Sequence, residues 1–411
     1  MSGKHSLFAG VSLGIIIWGV LASFWGCETT WRWFNVPALS PNFADMRVIT
    51  SGAESRALGF DPMVSNPRDP WHRQLNYPRI WQLLYRAGIN QQYTAAFGVA
   101  LAVLFVVGLF LQMPSTINHW TAAVLMLSLF SPAVLLGVER GNIDLLMFFL
   151  LAAAIYGIKK NVAATTALAV ALVLMAFILK LYPLFGIGLL LGQKRKVALQ
   201  AGLLAALAAM LYVGASYRDL VMIRQVTPQF QYGSYGLDML WLNVGGDFLS
   251  GRITAELCYL AVALCLVLAL FGICSPKFET TEICDPDQRT MDAFRVGSGI
   301  YLGTFLLWNN VNYRLVFLLF VIPQLMFWSR SPSRRISIVS RSTLLAILVS
   351  MWTLALCRLA DAMHLGLWGA LLLQVSNLLI FAGLLFLFFR SVPRWFKDRV
   401  ANLDALLGRY C

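Results

Sequence analysis

The sequence predicts an all-α polytopic membrane protein, and three properties of the chain lead to that class. Hydrophobic residues make up 59% of the 411 residues, whereas soluble domains contain about 45–50%. The mean hydropathy is +0.71. Apolar runs of near-bilayer length recur between short polar links, which predicts about twelve membrane crossings. We expect residues 1–411 to form a single transmembrane domain.

The distribution of charge predicts the orientation of the chain. It carries 32 Lys and Arg against 19 Asp and Glu, a formal net charge of +13. The basic residues lie in short clusters between apolar runs, which indicates positive-inside topology and argues against nucleic acid as a partner. Both termini are then cytoplasmic, with 390–411 as a basic tail. No organelle signal is visible, which favours a bacterial inner membrane.

The first predicted span covers about residues 7–24. No small-x-small cleavage site follows it, so we expect it to be retained. Residues 28–92 then form a long extracytoplasmic loop, whose stretch 43–81 is dense in Asp, Glu and Arg. Each of these charges would cost several kcal/mol in hydrocarbon. A charged loop of this kind in an otherwise apolar chain is typical of a functional site.

A short broken segment is predicted after four further spans. Those four apolar runs are 93–112, 118–137, 143–158 and 162–179. The sequence Lys180-Leu181-Tyr182-Pro183 follows, and only about ten residues remain before the basic cluster 194–196, too few for a regular span. We therefore predict an irregular helix that lines a cavity.

The remaining chain is predicted to cross the membrane several more times. A crossing at 198–214 leads to a second outer loop, 216–252, after which residues 253–274 return to an inner loop, 277–295. The short run 296–308 is expected to be a second broken segment beside the groove. Three further apolar runs follow, at 315–328, 342–357 and 366–389.

Three cations at the predicted outer face are candidates for an anion site. Arg140, Lys180 and Arg314 each adjoin an apolar helix, where a positive charge is costly unless an anion answers it. A phosphate at the membrane surface is such an anion. The alternative is that these cations reach lipid head groups or pair with carboxylates nearby, namely Glu139, Asp144 or Asp45.

Asp45 lies just beyond the first span, in Phe-Ala-Asp-Met-Arg. A carboxylate at the mouth of a partly apolar cavity is suited to act as a general base toward a hydroxyl group. The alternative is a salt bridge to Arg47 or Arg79. Asp45 is thus a candidate base or a candidate structural anion.

Other chemistries find little support in the sequence. The seven cysteines include no CxxC pair, so we predict neither a disulfide framework nor a metal site. No Gly-rich phosphate loop or dinucleotide fingerprint occurs, and we expect no nucleotide cofactor. A divalent cation held by the carboxylate-rich first loop stays open as an alternative.

Several short motifs, in this order, resemble those of GT-C class membrane glycosyltransferases, glycosyltransferase family 87 in particular. The motifs span much of the chain and are Phe-Ala-Asp45-Met-Arg47, Gly59-Phe60-Asp61-Pro62, Asn76-Tyr77-Pro78, Arg140-Gly141-Asn142-Ile143-Asp144, Lys180-Leu181-Tyr182-Pro183 and Asn312-Tyr313-Arg314. The chain departs from the family at Tyr77-Pro78-Arg79, where a fuller Tyr-Pro-Pro is common.

The resemblance implies a GT-C-like fold and an inverting transfer of a hexose, such as mannose, or a pentose. The donor would be a polyprenyl-phosphate sugar and the acceptor a lipid or glycan hydroxyl on the non-cytoplasmic face. Carried over by position, Asp45 would be the general base, and Lys180, Arg314 and Arg140 would hold the donor phosphate. The implied pocket residues are Asn142, Tyr182, Asn312, Tyr313, Arg47 and Tyr77.

Two other functions remain as alternatives. A lipid or glycolipid transporter also uses broken helices, but it predicts ionisable groups deep in mid-span and a repeated half, and neither is evident in the sequence. A lipid-linked glycan polymerase or ligase shares the topology and the donor class. It more typically carries functional arginines in a large late outer loop, whereas the late outer loops here are short.

Overall fold

The described part of the protein is almost entirely helical, which confirms the all-α class. The computed structural model describes residues 3–114, 116–230, 233–239, 256, 259–260, 262–266, 287–307, 309–364, 366–393 and 395–396. Its α-helices are α1 (Gly3–Trp25), α2 (Cys27–Trp33), α3 (Ala44–Ala57), α4 (Thr94–Gln112), α5 (His119–Leu129), α6 (Pro132–Arg140), α7 (Asp144–Gly157), α8 (Ala163–Leu179), α9 (Arg195–Val226), α10 (Gln288–Leu306), α11 (Ile322–Trp328), α12 (Arg334–Met351), α13 (Thr353–Ala362) and α14 (Gly366–Ser391). Its 3₁₀ helices are η1 (Arg79–Ala87), η2 (Gln91–Tyr93), η3 (Tyr182–Gly192) and η4 (Asn312–Phe320), and its strands are β1 (Ser234–Tyr235) and β2 (Asn310–Val311).

Long apolar helices identify an integral membrane protein. Within the described residues, four helices are long and apolar enough to cross a bilayer: Gly3–Trp25, Gln91–Gln112, Arg195–Val226 and Leu371–Ser391. The number rises to six if each of two bent helix pairs counts as one span. The full set of about twelve crossings remains a prediction.

The predicted span 118–137 is bent in the middle. Helices α5 and α6 meet at an angle of 53°. The break arises because the Ser131 hydroxyl accepts a hydrogen bond from the Val134 N–H at 3.4 Å and Pro132 occupies the first turn of α6. Both residues start a new helix instead of continuing the old one. A similar bend of 66° separates α12 from α13.

Residues 216–226, predicted to begin the second outer loop, are helical. Helix α9 runs for 32 residues to Val226, about 48 Å at 1.5 Å per residue, which exceeds a hydrocarbon core of about 30 Å. The charges at Arg218 and Asp219 indicated a loop because they cannot lie in lipid, but a helix that leaves the membrane continues in water. Residues 231–232 and 240–252 of this loop lie outside the described residues.

The predicted inner loop to residue 295 and the broken run 296–308 are also corrected. Residues 288–295 of the first segment and 296–306 of the second form one regular helix, α10, whose first backbone N–H groups are capped by Asp287. Residues 277–286 of the predicted loop lie outside the described residues. Asp292 and Arg295 in the first turns of α10 are buried. Arg295 donates a hydrogen bond of 2.5 Å to the Ser391 carbonyl. The second irregular segment is instead η4, while η3 is the short irregular helix predicted after Lys180.

Buried aromatic contacts pack α7 against η4. Phe148, one turn into α7, stacks on Phe320 of η4, with ring centroids 4.3 Å apart and the rings nearly parallel. Phe148 also contacts Phe105 of α4 and Phe317 of η4. Beside these rings, Arg314 of η4 lies next to Asp144, the first residue of α7.

Candidate functional site

Four separate elements contribute polar side chains to one cluster. Asp45 lies in the first turn of α3, Asn142 precedes α7, Lys180 ends α8, and Arg314 lies in η4. The turn before Asn142 requires Gly141, whose φ of 56° is left-handed and whose hypothetical Cβ would lie 3.1 Å from the Phe43 side chain. This close approach lets the start of α3 reach the start of α7.

Asn142 lies between the candidate base and one of the candidate cations. Its Nδ2 donates to Asp45 Oδ2 at 2.5 Å. Its Oδ1 accepts from Lys180 Nζ at 3.1 Å and from the Asp144 N–H at 2.9 Å. The side chain is fully buried. Asp45 and Lys180, which are far apart in the sequence, are therefore joined through a single amide.

Lys180 and Arg314 share one carboxylate. Lys180 Nζ is hydrogen-bonded to Asp144 Oδ1, and Arg314 Nε lies 3.5 Å from Asp144 Oδ2. Asp144 is 1% exposed, whereas the side chains of Lys180 and Arg314 are 12% and 16% exposed. The expected alternative of pairing with Asp144 is thus observed. Lys180, Arg314 and Asp144 together carry one net positive charge, and the negative charge of Asp45 lies one amide away.

Tyrosine rings surround the two cations. Lys180 Nζ lies 5.3 Å from the ring centroid of Tyr77, 5.8 Å from that of Tyr182 and 5.7 Å from that of Tyr313. The guanidinium carbon of Arg314 lies 4.2 Å from the Tyr182 centroid. Ring faces attract cations within this range. Burial, together with the neighbouring Asp45 charge, raises the pKa of Tyr77 well above its ordinary value, so its phenol stays neutral.

The mouth of the cluster contains a cation that the sequence reasoning did not place there. Arg73 Nη1 lies 4.0 Å from Asp45 Oδ1, and Arg73 Nη2 donates to the Ala44 carbonyl at 2.7 Å. Buried Asp69 accepts from Arg73 at 3.1 and 2.9 Å, and the guanidinium covers the Trp71 ring at 4.4 Å. The dense charges of 43–81 pointed to this region, but their spacing did not indicate which arginine faces Asp45.

The salt bridges expected as alternatives for Asp45 are not the ones that form. Arg79 instead binds Asp219 at 2.9 Å and Asp61 at 3.0 Å. The hydrogen bonds that Arg79 donates to Asp219 are the main cause that raises the pKa of Arg79 above its ordinary value. Partial burial alone would raise the pKa of Asp61, but the hydrogen bond and charge of Arg79 outweigh it and lower that pKa.

Arg47 and Arg140 do not join the cluster. Arg47 donates to the Gln91 side chain and to a backbone carbonyl, both at 3.3 Å, although it was expected in the pocket. Arg140 donates to the Pro37 carbonyl at 2.9 Å and pairs with Glu139 at 3.1 Å. Pairing with Glu139 was the alternative considered for Arg140, and it is the arrangement observed.

The second outer loop supports the start of η4. Strand β1 pairs antiparallel with β2, and the Asn312 N–H donates to the Gly233 carbonyl at 2.8 Å. The Asn312 side chain is fully buried. Asn310 donates to the Thr304 carbonyl at 2.7 Å and accepts a hydrogen bond from Arg314. These contacts fix the backbone that presents Arg314.

Comparisons with known proteins add no relative to this description. No protein-family model, curated protein or solved structure matches the chain. Within the part of the chain that the structure describes, no group of three or more His, Cys, Asp or Glu side chains is arranged to hold a metal ion. Asp45, Asn142, Lys180, Asp144, Arg314 and Arg73 therefore define the candidate site by their own geometry.

Proposed function

We propose that this protein is a membrane glycosyltransferase of GT-C-like fold that moves a sugar, with inversion, from a polyprenyl-phosphate donor to a lipid or glycan hydroxyl. The reaction takes place on the non-cytoplasmic face, in the inner membrane of a bacterium. One observation carries the proposal: Asn142 hydrogen-bonds both the Asp45 carboxylate and the Lys180 ammonium. A candidate base and a candidate anion site are thus one amide apart.

The chemistry of such a transfer matches this pairing. Asp45 accepts the proton of the acceptor hydroxyl while the hydroxyl oxygen bonds to the anomeric carbon. The bond from that carbon to the phosphate oxygen breaks, and the electron pair leaves with polyprenyl phosphate. Attack opposite the leaving group inverts the anomeric centre. Lys180 and Arg314 stabilise the negative charge that gathers on the departing phosphate.

The charge of the cation group suits a phosphodiester. Lys180, Arg314 and the carboxylate that they share, Asp144, together carry one net positive charge. Asp45 loses its negative charge when it takes the acceptor proton. A sugar linked to a lipid through one phosphate carries one negative charge. Arg314 also offers a planar set of donors that fits phosphate oxygens.

The position of the cations supports a lipid-linked donor. Lys180 directly follows the apolar helix α8, and Arg314 opens the apolar helix η4. The Trp81 indole N–H donates to the Leu179 carbonyl at 3.0 Å, so η1 of the first loop closes over this end of α8. A phosphate bound here keeps its isoprenoid tail among the helices and its sugar beneath the first loop.

The test is transfer by the purified protein. It is incubated with tritiated polyprenyl-phospho-mannose, -glucose, -galactose or -arabinose and a membrane lipid extract. We expect one donor to yield a labelled glycoconjugate, and Asp45→Asn to lower its formation about 1,000-fold, within the range for loss of a general base. Asp61→Asn, which removes a carboxylate of the same loop, is the matched control and should retain transfer.

Two results would contradict the proposal. The first is the absence of any glycoconjugate with all four donors. The second is full transfer by Asp45→Asn. Movement of the labelled lipid across a reconstituted bilayer without transfer of its sugar would favour the transporter alternative.

A further inference from the structure

Lys180, Asp144 and Asp45 set the orientation of the Asn142 amide, whose Nδ2 also donates to the Tyr77 hydroxyl at 3.4 Å. Its Oδ1 faces two donors, Lys180 Nζ and the Asp144 N–H. Rotating the amide would place its NH₂ group against those donors and its oxygen against a carboxylate. The Nδ2 group therefore points at Asp45 Oδ2. The other carboxylate oxygen, Oδ1, is the one that faces Arg73 at 4.0 Å.

The backbone holds Asn142 as firmly as its side chain. Its N–H donates to the Gly137 carbonyl at 3.0 Å, and its own carbonyl accepts from the Leu145 N–H at 3.1 Å. It thus joins the end of α6 to the start of α7 in a fully buried position. A side chain fixed at both ends is able to orient the groups that it touches.

We propose that Asn142 is a positioning residue that keeps the Asp45 base and the Lys180 cation apart while it orients both. This inference rests on the proposed function. A carboxylate and an ammonium this close attract each other, and a direct pair would neutralise the base and withdraw the cation from phosphate. The neutral amide prevents that pair because it satisfies Asp45 with a donor and Lys180 with an acceptor. The amide then holds Asp45 Oδ2, and Asp45 Oδ1, which lies 4.0 Å from Arg73 Nη1, is left to accept the proton of the acceptor hydroxyl.

The first test separates positioning from donor binding. For Asn142→Ala we expect kcat to fall about 100-fold while the donor KM changes less than about threefold. Asn377→Ala is the matched control: it removes another fully buried asparagine, which accepts from Ser350 at 2.8 Å and from Tyr301 at 3.3 Å. Its kcat per folded molecule should not change. An unchanged kcat with a raised KM in Asn142→Ala would make Asn142 a donor-pocket residue only.

A double-substitution cycle tests whether the effect acts through Asp45. In an Asp45→Asn background we expect Asn142→Ala to cause a much smaller further loss of transfer than in wild type, because the base is already absent and only the effect on Lys180 remains. Losses that multiply would indicate general structural damage and overturn the inference. Thermal unfolding of each variant verifies folding, and Asn142→Ser replaces Asn142→Ala if the latter does not fold.

The outcomes also distinguish this inference from the proposed function. If Asp45→Asn is inactive while Asn142→Ala retains its kcat, the inference fails and the glycosyltransferase proposal stands. If Asp45→Asn is fully active, or the wild-type protein transfers no sugar, both fail.

Discussion

Two buried ion clusters lie in different parts of the bundle, and they differ in the exposure of their cations. In the first turns of α10, Asp292 pairs with Arg295 at 3.2 Å, with side-chain exposures of 2% and 8%. Arg295 also donates to the Ser391 carbonyl at the end of α14, where the helix dipole stabilises a cation. In the candidate site, Asp144 pairs with two cations, Lys180 and Arg314, whose side chains are 12% and 16% exposed.

We expect the Asp292–Arg295 pair to be structural and the Lys180 and Arg314 cations to be functional. A buried cation needs a counter-charge or hydrogen bonds at every donor. Arg295 finds a carboxylate and a helix terminus in the same chain. Lys180 and Arg314 both pair with Asp144. The other nearby carboxylate, Asp45, is linked to Lys180 through the Asn142 amide. In the proposed reaction, the polyprenyl phosphate is the anion that pairs with these two cations.

The largest expected effect comes from removing a cation of the site. Arg314→Met should lower transfer about 100- to 1,000-fold, because the leaving phosphate loses a charged donor. Arg358→Met is the control, since Arg358 is exposed and donates only to Asn35 among the described contacts, at 3.3 Å. Steady-state transfer rates of the two variants are compared at equal folded fraction. Equal rates would remove the distinction drawn between the two clusters.

The structural pair should affect stability instead of transfer. Asp292→Asn leaves Arg295 without its carboxylate, and we expect a loss of about 3 kcal/mol in unfolding free energy, typical of a broken buried pair. Transfer per folded molecule should not change. Chemical denaturation and initial rates measure the two effects separately. A selective loss of transfer at unchanged stability would assign this pair to the reaction.

Rescue by an anion sharpens the comparison further. Asp144→Asn should also lower the unfolding temperature, but farnesyl phosphate should restore part of it, because the ligand supplies the missing negative charge and stabilises by mass action. The same ligand should not rescue Asp292→Asn. Thermal unfolding with and without farnesyl phosphate makes the comparison. Equal rescue of both variants, or of neither, would contradict an anion site at Asp144.

The smallest expected effect concerns the exposed bridge of the first loop. Because the pKa of Asp61 is lowered in the folded state, the bridge contributes stability above the unfolded pKa of about 4 and loses it as the pH falls through the folded value. Solvent screening limits this contribution to below about 1 kcal/mol. Asp61→Asn should therefore be slightly less stable than wild type at pH 7 and equal to it at the acid end. A difference that persists at low pH would refute the bridge as its cause.

The sequence predicted the elements that depend on hydropathy and on distinctive residues. It predicted the all-α membrane class and the short helix η3, because ten apolar residues between Pro183 and the basic cluster leave no room for a span. It also singled out Asp45, Lys180 and Arg314, which the structure brings into one cluster through Asn142 and Asp144. Their roles in the reaction remain predictions.

The errors share one physical cause. Each charge was taken as a sign of a loop, so Asp219 in α9 and Arg295 in α10 were assigned to loops although both lie in helices. The first lies on a helix that extends beyond the bilayer, and the second is buried against a carboxylate and a helix end. Arg140 differs from Arg314 in one visible respect, since Glu139 is its neighbour in the chain. The approach of Arg73 to Asp45 depends on loop folding and has no signal in the spacing of residues.

Equilibrium binding of tritiated polyprenyl-phospho-mannose, or of whichever donor supports transfer, tests most directly whether Arg314 binds the phosphate and Asp45 takes the proton. We expect Asp45→Asn to bind the donor with the wild-type Kd but to transfer its sugar about 1,000-fold more slowly. We expect Arg314→Met to bind the donor about 100-fold more weakly. Equal donor affinity in wild type and Arg314→Met, or weakened binding confined to Asp45→Asn, would contradict a site in which one end holds the phosphate and the other takes the proton.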